Sequence, residues 1–341
     1  MLRLLVFLLL FIQLPSYSAV LKELEIVVDG KSVTDMKEAQ KLIVDGSTIY
    51  LGPGIYLQGV HIKANDVVLS GSEGTHFMNA IIENKAAIIT SGNNITIENI
   101  ECSKIQSTSN NGACIRHQGE NLTVSNVYFH DSEQGILESH NNGTTLVKYS
   151  RFERLGYNGR AHGIYSNGGE LIVEHCSFIS MLSQAHSIKS RSKKTTINHT
   201  LISTNKGLDS RLVDISNGGE LTITNSILHQ NNNTQNRQVI GYGLEKMAFD
   251  RIHTIKILSN LVIMERERGN QLLGLPNWKD GHVPFDINVF ENILIGEHVD
   301  HEKWSDANYY FSDRNEAGLS LQTLPRLSAL PQLFEYLSNR K

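Results

Sequence analysis

The side chains best suited to acid–base chemistry lie in two short matching segments, AHGIYSN at 161–167 and AHSIKSR at 185–191. In both, a histidine and an isoleucine precede a tyrosine or a lysine, and a third segment, SRLVDISN at 210–217, continues the pattern. Neighbouring arginines favour the neutral amine of a lysine, which is the form that acts as a general base. Arginine can also hold a carboxylate through two parallel hydrogen bonds. The segments therefore predict proton abstraction beside a bound carboxylate.

Five residues are the predicted catalytic groups. Lys189 is the predicted base that removes the proton α to the carboxylate of a uronate sugar, and Arg211 is placed to stabilise the enolate-like charge that forms. Tyr165, His162 or His186 is the predicted proton donor to the leaving oxygen. Loss of the 4-linked sugar completes a β-elimination, so we expect a polysaccharide lyase that cleaves an acidic exopolysaccharide.

Further polar residues on or beside the same strand of successive repeats are predicted to contact the substrate: Arg116, Glu138, Arg160, Asn167, Arg191, Asp209 and Asp214. Several potential cations crowd within about two repeats, and they repel one another unless an anion sits among them. Hydrolysis is disfavoured, because Asp214, Asp209 and Glu138 are too scattered to act as facing carboxylates. Two alternatives remain open: a uronate C5-epimerase, which returns the same proton to the other face, and a non-catalytic carbohydrate-binding protein.

A repeat of about 25 residues must position these side chains. A short polar-to-apolar phrase ends at Phe129, Phe152, Phe178, Ile202 and Leu228, in steps of 23, 26, 24 and 26 residues. Runs of alternating apolar and polar residues, typical of half-buried strands, precede these phrases, and turns rich in asparagine and glycine separate the units. The period predicts an all-β fold, a single-stranded right-handed parallel β-helix that rises about 4.8 Å per coil.

Aligning the coils on their turns gives one apolar stack that should point inwards: Ile115, Ile136, Ile164, Ile188, Val213 and Ile240. The residue after each of these should point outwards, because side chains alternate along a strand. We call these residues the outer row: Arg116, Leu137, Tyr165, Lys189, Asp214 and Gly241. The place of Asp214 assumes a small bulge, since its turn is one residue longer than the others. The same alignment puts His162 and His186 one above the other.

The ends of the chain depart from the repeat. Residues 1–19 combine a basic residue, an apolar run too short to span a bilayer and small residues for a signal peptidase, so they are a predicted signal peptide, with an uncleaved anchor as the alternative. Residues 20–300 are the predicted β-helix with an N-terminal capping helix, and 301–341 are a C-terminal extension with a helix. We expect a periplasmic or secreted protein with no membrane contact after signal cleavage.

Composition and charge narrow the classes of molecule that the protein is expected to bind. A net charge of −4 gives no basic footprint for nucleic acid, whereas an elongated outer row suits an acidic polysaccharide. Cys102, Cys114 and Cys176 lack metal-site spacing and are expected to be small core residues, although the first two could pair in an oxidising compartment. We expect a monomer that needs no cofactor and has no metal ligands among its candidate site residues.

Several segments resemble known proteins. NGACIRHQGENLTVSNVYFHDSEQGIL, AHSIKSR, DSRLVDISNGG and VIGYGLE are similar to secreted bacterial β-helix proteins of the pectate-lyase-like superfamily, including lyase-like proteins proposed to cut biofilm-matrix exopolysaccharide. The likeness runs from about residue 60 to 245. SIKSRSKKTTINHT also resembles the lysine coil of alginate and chondroitin lyases, which implies that Lys189 is the base. Those lyases often use calcium, so the resemblance allows a calcium ion here. Arg191 and Arg211 could take the place of that ion.

Overall fold

The computed structural model describes residues 24–276 and 286–338, so the predicted signal peptide lies outside the described residues. Within those ranges the chain winds through three long sheets, named sheet A, sheet B and sheet C, and successive strands pass from one sheet to the next. Pairing is parallel apart from an antiparallel group at the start of sheet A. The architecture is the predicted right-handed parallel β-helix.

The strands of sheet A are Ile26–Val28, Lys31–Val33, Thr48–Leu51, Val68–Gly71, Ile95–Glu98, Leu122–Ser125, Thr144–Lys148, Glu170–Glu174, Lys194–Asn198, Glu220–Thr224, Thr254–Leu258 and Asp286–Phe290. Those of sheet B are Gly54–Tyr56, Thr75–Met78, Glu101–Ser103, Tyr128–His130, Arg151–Glu153, Ser177–Ile179, Leu201–Ser203, Ile227–Gln230, Leu261–Met264, Ile293–Ile295 and Tyr309–Phe311. Those of sheet C are Val60–Ile62, Ala86–Thr90, Ala113–His117, Gln134–Glu138, Ile164–Ser166, Ile188–Ser190, Val213–Ile215, Gln238–Tyr242 and Gln271–Gly274. The helices are Met36–Leu42, His301–Trp304 and Leu330–Ser338, with 3-10 turns at Ser305–Ala307 and Leu327–Ala329.

Apolar stacks fill the interior between the sheets. The stack of sheet C is fully buried and pairs in the predicted order: Ile115, Ile136, Ile164, Ile188, Val213 and Ile240. In sheet B, Phe129, Phe152 and Phe178 lie in register, and the last two rings stack with centroids 4.6 Å apart. The predicted inward register is therefore confirmed, and it fixes which residues of each strand face outwards.

Asparagine side chains form ladders at the turns between coils. Asn126 Nδ2 donates to Asn99 Oδ1 over 2.7 Å, and Asn121 Nδ2 donates to Asn94 Oδ1 over 2.8 Å. These bonds join the turns of successive coils to one another. Asparagine at these positions therefore serves the fold.

One helix caps the N-terminal end of the β-helix, and another lies on the outer face of sheet B. Asp35 caps the helix Met36–Leu42 by accepting from the backbone N of Glu38 over 2.7 Å, and the buried side chains of that helix join the core of the first coils. Leu330 and Leu337 of the second helix pack against sheet B. The strand Tyr309–Phe311 continues sheet B past residue 300. Among residues 24–276 and 286–338, no helix combines the length and hydropathy needed to cross a bilayer.

The three cysteines lie in the core, but two of them are bonded. Cys102 and Cys114 form a disulfide with their Cα atoms 5.9 Å apart, and Cys176 is buried and free. The expectation that all three serve as unpaired core residues is therefore wrong. A turn brings Cys102 in sheet B and Cys114 in sheet C within the Cα separation that a disulfide requires.

Candidate functional site

The outer row of sheet C brings the central candidate residues together on neighbouring strands. Tyr165 pairs with Lys189, and Lys189 pairs with Asp214, so the three side chains project from successive coils about 4.8 Å apart. Gly241 follows Asp214 in the same register. The predicted register of the outer row is confirmed from Arg116 to Gly241, but Lys189 and Asp214 are buried.

Lys189 and Arg191 share one carboxylate, that of Glu245. Lys189 Nζ binds one oxygen of Glu245 and Arg191 Nη2 binds the other. The Lys189 side chain is only 11% exposed as a result. Burial raises the pKa of the Glu245 carboxyl, but the hydrogen bonds and charges of Lys189 and Arg191 outweigh burial and leave the pKa below its ordinary value. A resident anion thus sits among the predicted cations.

Glu245 belongs to a segment that crosses back over earlier coils. We call residues 243–253 the strap. Its backbone N–H groups at Gly243 and Ala248 donate to the carbonyls of Ile215 and Asn217, and Arg251 Nη1 donates to the Arg191 carbonyl over 2.9 Å. The strap is therefore fixed to the turns beside the outer row and holds Glu245 over the row.

Arg191 connects three parts of the site. Its Nε donates to the Tyr165 hydroxyl over 2.6 Å, and its Nη1 donates to Asn217 Oδ1 over 2.6 Å. Together with the bond to Glu245, these contacts hold the guanidinium plane in one orientation. The bond from Arg191 also orients the phenol, while the proton of the Tyr165 hydroxyl stays available for donation.

Arg211 pairs with Asp214 and so lies one coil from Lys189. Arg211 Nη1 donates to Asp214 Oδ1 over 3.1 Å, and Ser216 Oγ donates to Asp214 Oδ2 over 2.7 Å. A Cβ on Gly241 would lie 2.5 Å from Arg211 Cδ and 2.9 Å from Asp214 Oδ1. Glycine at 241 therefore makes room for the ion pair.

His162 and His186 stack behind this cluster and are buried. Their ring centroids are 5.0 Å apart, as the alignment of the coils predicts. The backbone N of His186 donates to His162 Nδ1 over 3.1 Å. Burial, followed by nearby charges, lowers the pKa of His162 well below its ordinary value, and burial is also the largest influence lowering that of His186 to about 4. Both rings are neutral at pH 7, so the cation cluster consists of Lys189, Arg191 and Arg211.

Two predicted substrate contacts are buried away from the outer row. The Glu138 carboxylate accepts from Ser166 Oγ and from the backbone N of Asn167, over 2.6 and 2.9 Å, and also binds three further donors at the same turn. Asp209 accepts from the hydroxyls of Thr204 and Thr234, both over 2.9 Å. Burial raises the pKa of Asp209 to about 7. Both carboxyl groups hold local structure and are not presented to a ligand.

The remaining predicted contacts lie at the margins. Arg116 is in the outer row, but three coils separate it from Lys189, which is about 14 Å. Asn167 lies at the turn after Tyr165, where its carbonyl accepts from the backbone N of Asn141. Arg160 is exposed at the approach to the same strand. The structure therefore gathers the candidate site around Lys189, not along the whole row.

Glu245 and Asn217 are the contributors that the sequence patterns do not single out. The sequence does carry one signal for Glu245: the step from Leu228 to Ile263 is 35 residues, against about 25 for the preceding coils. The extra residues include the strap. A long insertion next to a row of charged side chains indicates a segment that covers the row.

The side chains of the site are arranged to bind a carboxylate. Two cationic side chains converge on one carboxylate, a phenol is oriented beside them, and an Arg–Asp pair closes the next coil. Calcium would require several oxygen ligands. Here Glu245 and Asp214 are already paired with cations, so these residues do not form an oxygen cage for that ion.

Comparisons with known proteins give likenesses to solved structures alone. No family model matches the chain, and no curated protein matches it. The structure is similar to ORF18 of Geobacillus virus E2, with a TM-score of 0.44 and 14% identity over 78% of this chain, which spans 59% of that one. It is also similar to a pectin methylesterase variant in complex with a hexasaccharide, with a TM-score of 0.42 and 14% identity over 87% of this chain and 96% of that one. Because both TM-scores lie below 0.5, neither likeness assigns a function to this chain.

Proposed function

We propose that the protein is a secreted polysaccharide lyase that cleaves an acidic, uronate-containing exopolysaccharide by β-elimination. The observation that carries the proposal is the Glu245 carboxylate held between Lys189 and Arg191 on the outer row. A position that binds a carboxylate of the protein through two cations has the charge and hydrogen-bond donors to bind the carboxylate of a uronate sugar. Glu245 thus marks the expected place of the substrate carboxylate.

In the proposed reaction, the uronate carboxylate replaces Glu245 against the Arg191 guanidinium. Lys189 is released from its ion pair and loses its proton to solvent before it can act as a base. The free amine then removes the proton α to the carboxylate. The electron pair of that C–H bond forms the new C=C bond, and the bond to the 4-linked oxygen breaks.

Two further groups complete the elimination. The Tyr165 hydroxyl, oriented by Arg191 Nε at 2.6 Å, supplies a proton to the leaving oxygen. Arg191 stays on the carboxylate, where negative charge builds up as the α proton leaves, and Arg211 lies one coil further on. His162 and His186 are buried behind these groups, so they position the strands and do not reach the substrate.

Other features of the chain are compatible with work outside the cytoplasm. The Cys102–Cys114 disulfide is of the kind that forms in oxidising compartments, which supports a periplasmic or secreted protein. The outer row runs along the β-helix, so a linear acidic polymer can lie over Tyr165, Lys189 and Asp214 on successive coils. We propose that a monomer is sufficient, because the cations and the phenol of the site come from one chain.

The proposal is tested by incubating purified protein with a panel of uronate polymers and following chain length and the ultraviolet absorbance of unsaturated ends together. Wild-type protein should shorten one polymer and form unsaturated ends. Lys189→Ala should lower the rate by about 10²- to 10⁴-fold, the usual contribution of a general base. The matched control is Arg116→Ala, which removes a cation from the same row but from a distant coil.

The other outcomes identify the alternatives. Incorporation of solvent deuterium without chain shortening would replace the lyase by an epimerase. Binding of the polymer that survives Lys189→Ala, with no product from the wild-type protein, would replace it by a carbohydrate-binding protein. Equal losses in Lys189→Ala and Arg116→Ala would remove Lys189 from the catalytic position.

A further inference from the structure

A second cluster of titratable side chains lies on the outer face of sheet B, near the N-terminal end of the β-helix. His76, Glu101 and His130 come from three successive strands, Thr75–Met78, Glu101–Ser103 and Tyr128–His130. Their register puts Glu101 beside His76 and puts Ser103 beside His130. Stacking of the coils, not closeness in the sequence, brings the three residues together.

The ligand atoms of the cluster converge on one small volume. Glu101 Oε1 lies 2.9 Å from His130 Nε2 and 3.5 Å from His76 Nδ1, and the three residues each offer an atom within 4.8 Å of the others. Two ligands of a tetrahedral ion with bonds of about 2.0–2.1 Å are themselves about 3.3 Å apart. The observed separations therefore fit around one such ion after small side-chain movements.

The hydrogen bonds of His130 point its free nitrogen at this volume. His130 Nδ1 lies 2.6 Å from Asp131 Oδ2. Arg154 donates to both oxygens of the Asp131 carboxylate, each over 2.7 Å, so this carboxylate acts as an acceptor and Nδ1 donates to it. Nε2 then faces Glu101 Oε1 over 2.9 Å, a position in which either a proton or a metal ion can join the two atoms.

A hydrogen bond orients the ring of His76 in a similar way. Its Nε2 lies 2.8 Å from Ser103 Oγ, a hydroxyl that can accept the Nε2 proton and leave the lone pair of Nδ1 towards Glu101. A ligand histidine whose second nitrogen is hydrogen-bonded to a hydroxyl, a carboxylate or a carbonyl is the usual arrangement in metal sites. Both histidines of the cluster therefore have the outer hydrogen bonds that a metal ligand requires.

We propose that His76, Glu101 and His130 form a binding site for a first-row divalent transition metal, with Zn²⁺ as the fitting ion. Two imidazoles and one carboxylate match the ligand preference of Zn²⁺ and not that of calcium, which takes oxygen ligands. Three protein ligands leave one position of the ion open. The Glu101 side chain is 36% exposed and those of His76 and His130 are 17% and 14% exposed, so solvent can reach the cluster.

This site is separate from the proposed lyase site. It lies on sheet B, whereas Lys189 projects from sheet C on a later coil, and neither cluster shares a residue with the other. The metal proposal therefore stands or falls independently of the reaction proposed for Lys189.

The test is metal binding by the full chain after treatment with a chelator and dialysis. Zn²⁺ content should reach one equivalent per chain, and Co²⁺ in its place should give the visible absorption of a tetrahedral ion. His76→Ala and His130→Ala should each weaken Zn²⁺ binding by about 100-fold or more, and Asp131→Asn should weaken it by about 10- to 100-fold through the loss of ligand orientation. Circular dichroism and thermal unfolding show whether each variant remains folded.

His61→Ala is the matched control. His61 also contacts a carboxylate and a hydroxyl, those of Glu83 and Ser91, but it lies on sheet C with no second histidine in a candidate metal cluster of the described residues. This variant should bind Zn²⁺ like the wild-type protein. A wild-type protein without stoichiometric Zn²⁺, folded His76→Ala and His130→Ala proteins with wild-type affinity, or an equal loss in His61→Ala would overturn the proposal.

Discussion

The two halves of the outer row of sheet C share a backbone and differ in almost everything else. In the earlier half, Arg116 stands between Ile89 and Leu137, and these apolar neighbours form a small buried cluster. In the later half, the same positions hold Tyr165 and Lys189, followed by Asp214. Register and spacing are the same in both halves, so the fold itself does not create the site.

What distinguishes the later half is a covering segment that carries a carboxylate. The strap crosses this half alone and places Glu245 on Lys189 and Arg191. The Nε atoms of Arg116 in the earlier half and of Arg211 in the later half are both buried without a hydrogen-bond partner among the described residues, so the contrast between the halves lies in Glu245. Charge in the later half is organised around a carboxylate, which is what a site for an anionic sugar needs.

The largest expected difference between the halves concerns the two arginines. Arg191→Ala should lower kcat/KM on the cleaved polymer by about 10²- to 10³-fold, because the guanidinium binds the carboxylate on which charge develops. Arg116→Ala should change kcat/KM by less than about threefold, as is usual for a cation remote from the reacting group. Steady-state rates of unsaturated-end formation measure both. Equal effects of the two substitutions would erase the distinction between the halves.

The second expected effect concerns the proton donor of the later half. Tyr165→Phe keeps the ring and removes the hydroxyl, so kcat should fall by about 10²-fold with little change in KM. A chromogenic substrate whose leaving group needs no proton should restore most of the lost rate. A rise in KM with kcat unchanged would instead make the Tyr165 hydroxyl a binding group.

The third expected effect contrasts two buried aspartates, Asp209 beside the outer row and Asp214 within it. Burial raises the pKa of Asp209 to about 7, whereas the unfolded carboxyl titrates near pH 4. The folded protein therefore keeps a proton that the unfolded chain loses, and stability falls as pH rises from about 4 to about 7. The loss is complete above pH 7 and is on the order of 4 kcal/mol at most.

Asp209→Asn should remove this pH dependence and raise the free energy of unfolding relative to the wild-type protein at pH 8. Asp214→Asn is the contrasting variant, because it leaves Arg211 without its carboxylate partner and should destabilise the protein. Denaturant unfolding at pH 5 and pH 8 measures both variants. An Asp209→Asn protein with the wild-type pH slope would show that another group causes that slope.

The smallest expected effect concerns Glu245 itself. Glu245→Gln keeps the shape of the side chain but removes the charge that competes with the substrate, so the apparent Kd for a uronate oligosaccharide should fall by about threefold to tenfold. Glu267→Gln, an exposed acid outside the strap, should leave the Kd unchanged. Isothermal titration measures both. Weaker binding by Glu245→Gln would make Glu245 a substrate-binding residue.

The repeat in the sequence was sufficient to predict the β-helix and the register of the outer row through Asp214, and the amphipathic segment before the repeat predicted the capping helix. The alternation of apolar and polar residues is lost in the last strands of sheet B. There Val262 pairs with Leu228 and with Leu294, and the flanking Ile263 and Ile295 are buried as well. The C-terminal helix covers sheet B there, so both faces of these strands are apolar.

The candidate site was predictable only in part. Lys189 and Tyr165 were predictable because they occupy matching positions on neighbouring coils. The alternation of side chains along each strand then places both on the outer face. Glu245 is 56 residues from Lys189, on a segment with no repeat, so its contact depends on a tertiary path that no local pattern shows. The burial of Glu138 and Asp209 likewise depends on hydroxyl and amide donors contributed by other turns.

The most direct test of the central claim is the position of a bound sugar carboxylate. A crystal structure of the Tyr165→Phe protein with a uronate oligosaccharide, chosen from the polymer that the wild-type protein cleaves, would show it. The carboxylate should lie within hydrogen-bond distance of the Arg191 guanidinium, with the amine of Lys189 near the α carbon and Glu245 displaced. An oligosaccharide bound on another face, or one bound while Glu245 still joins Lys189 and Arg191, would contradict the account.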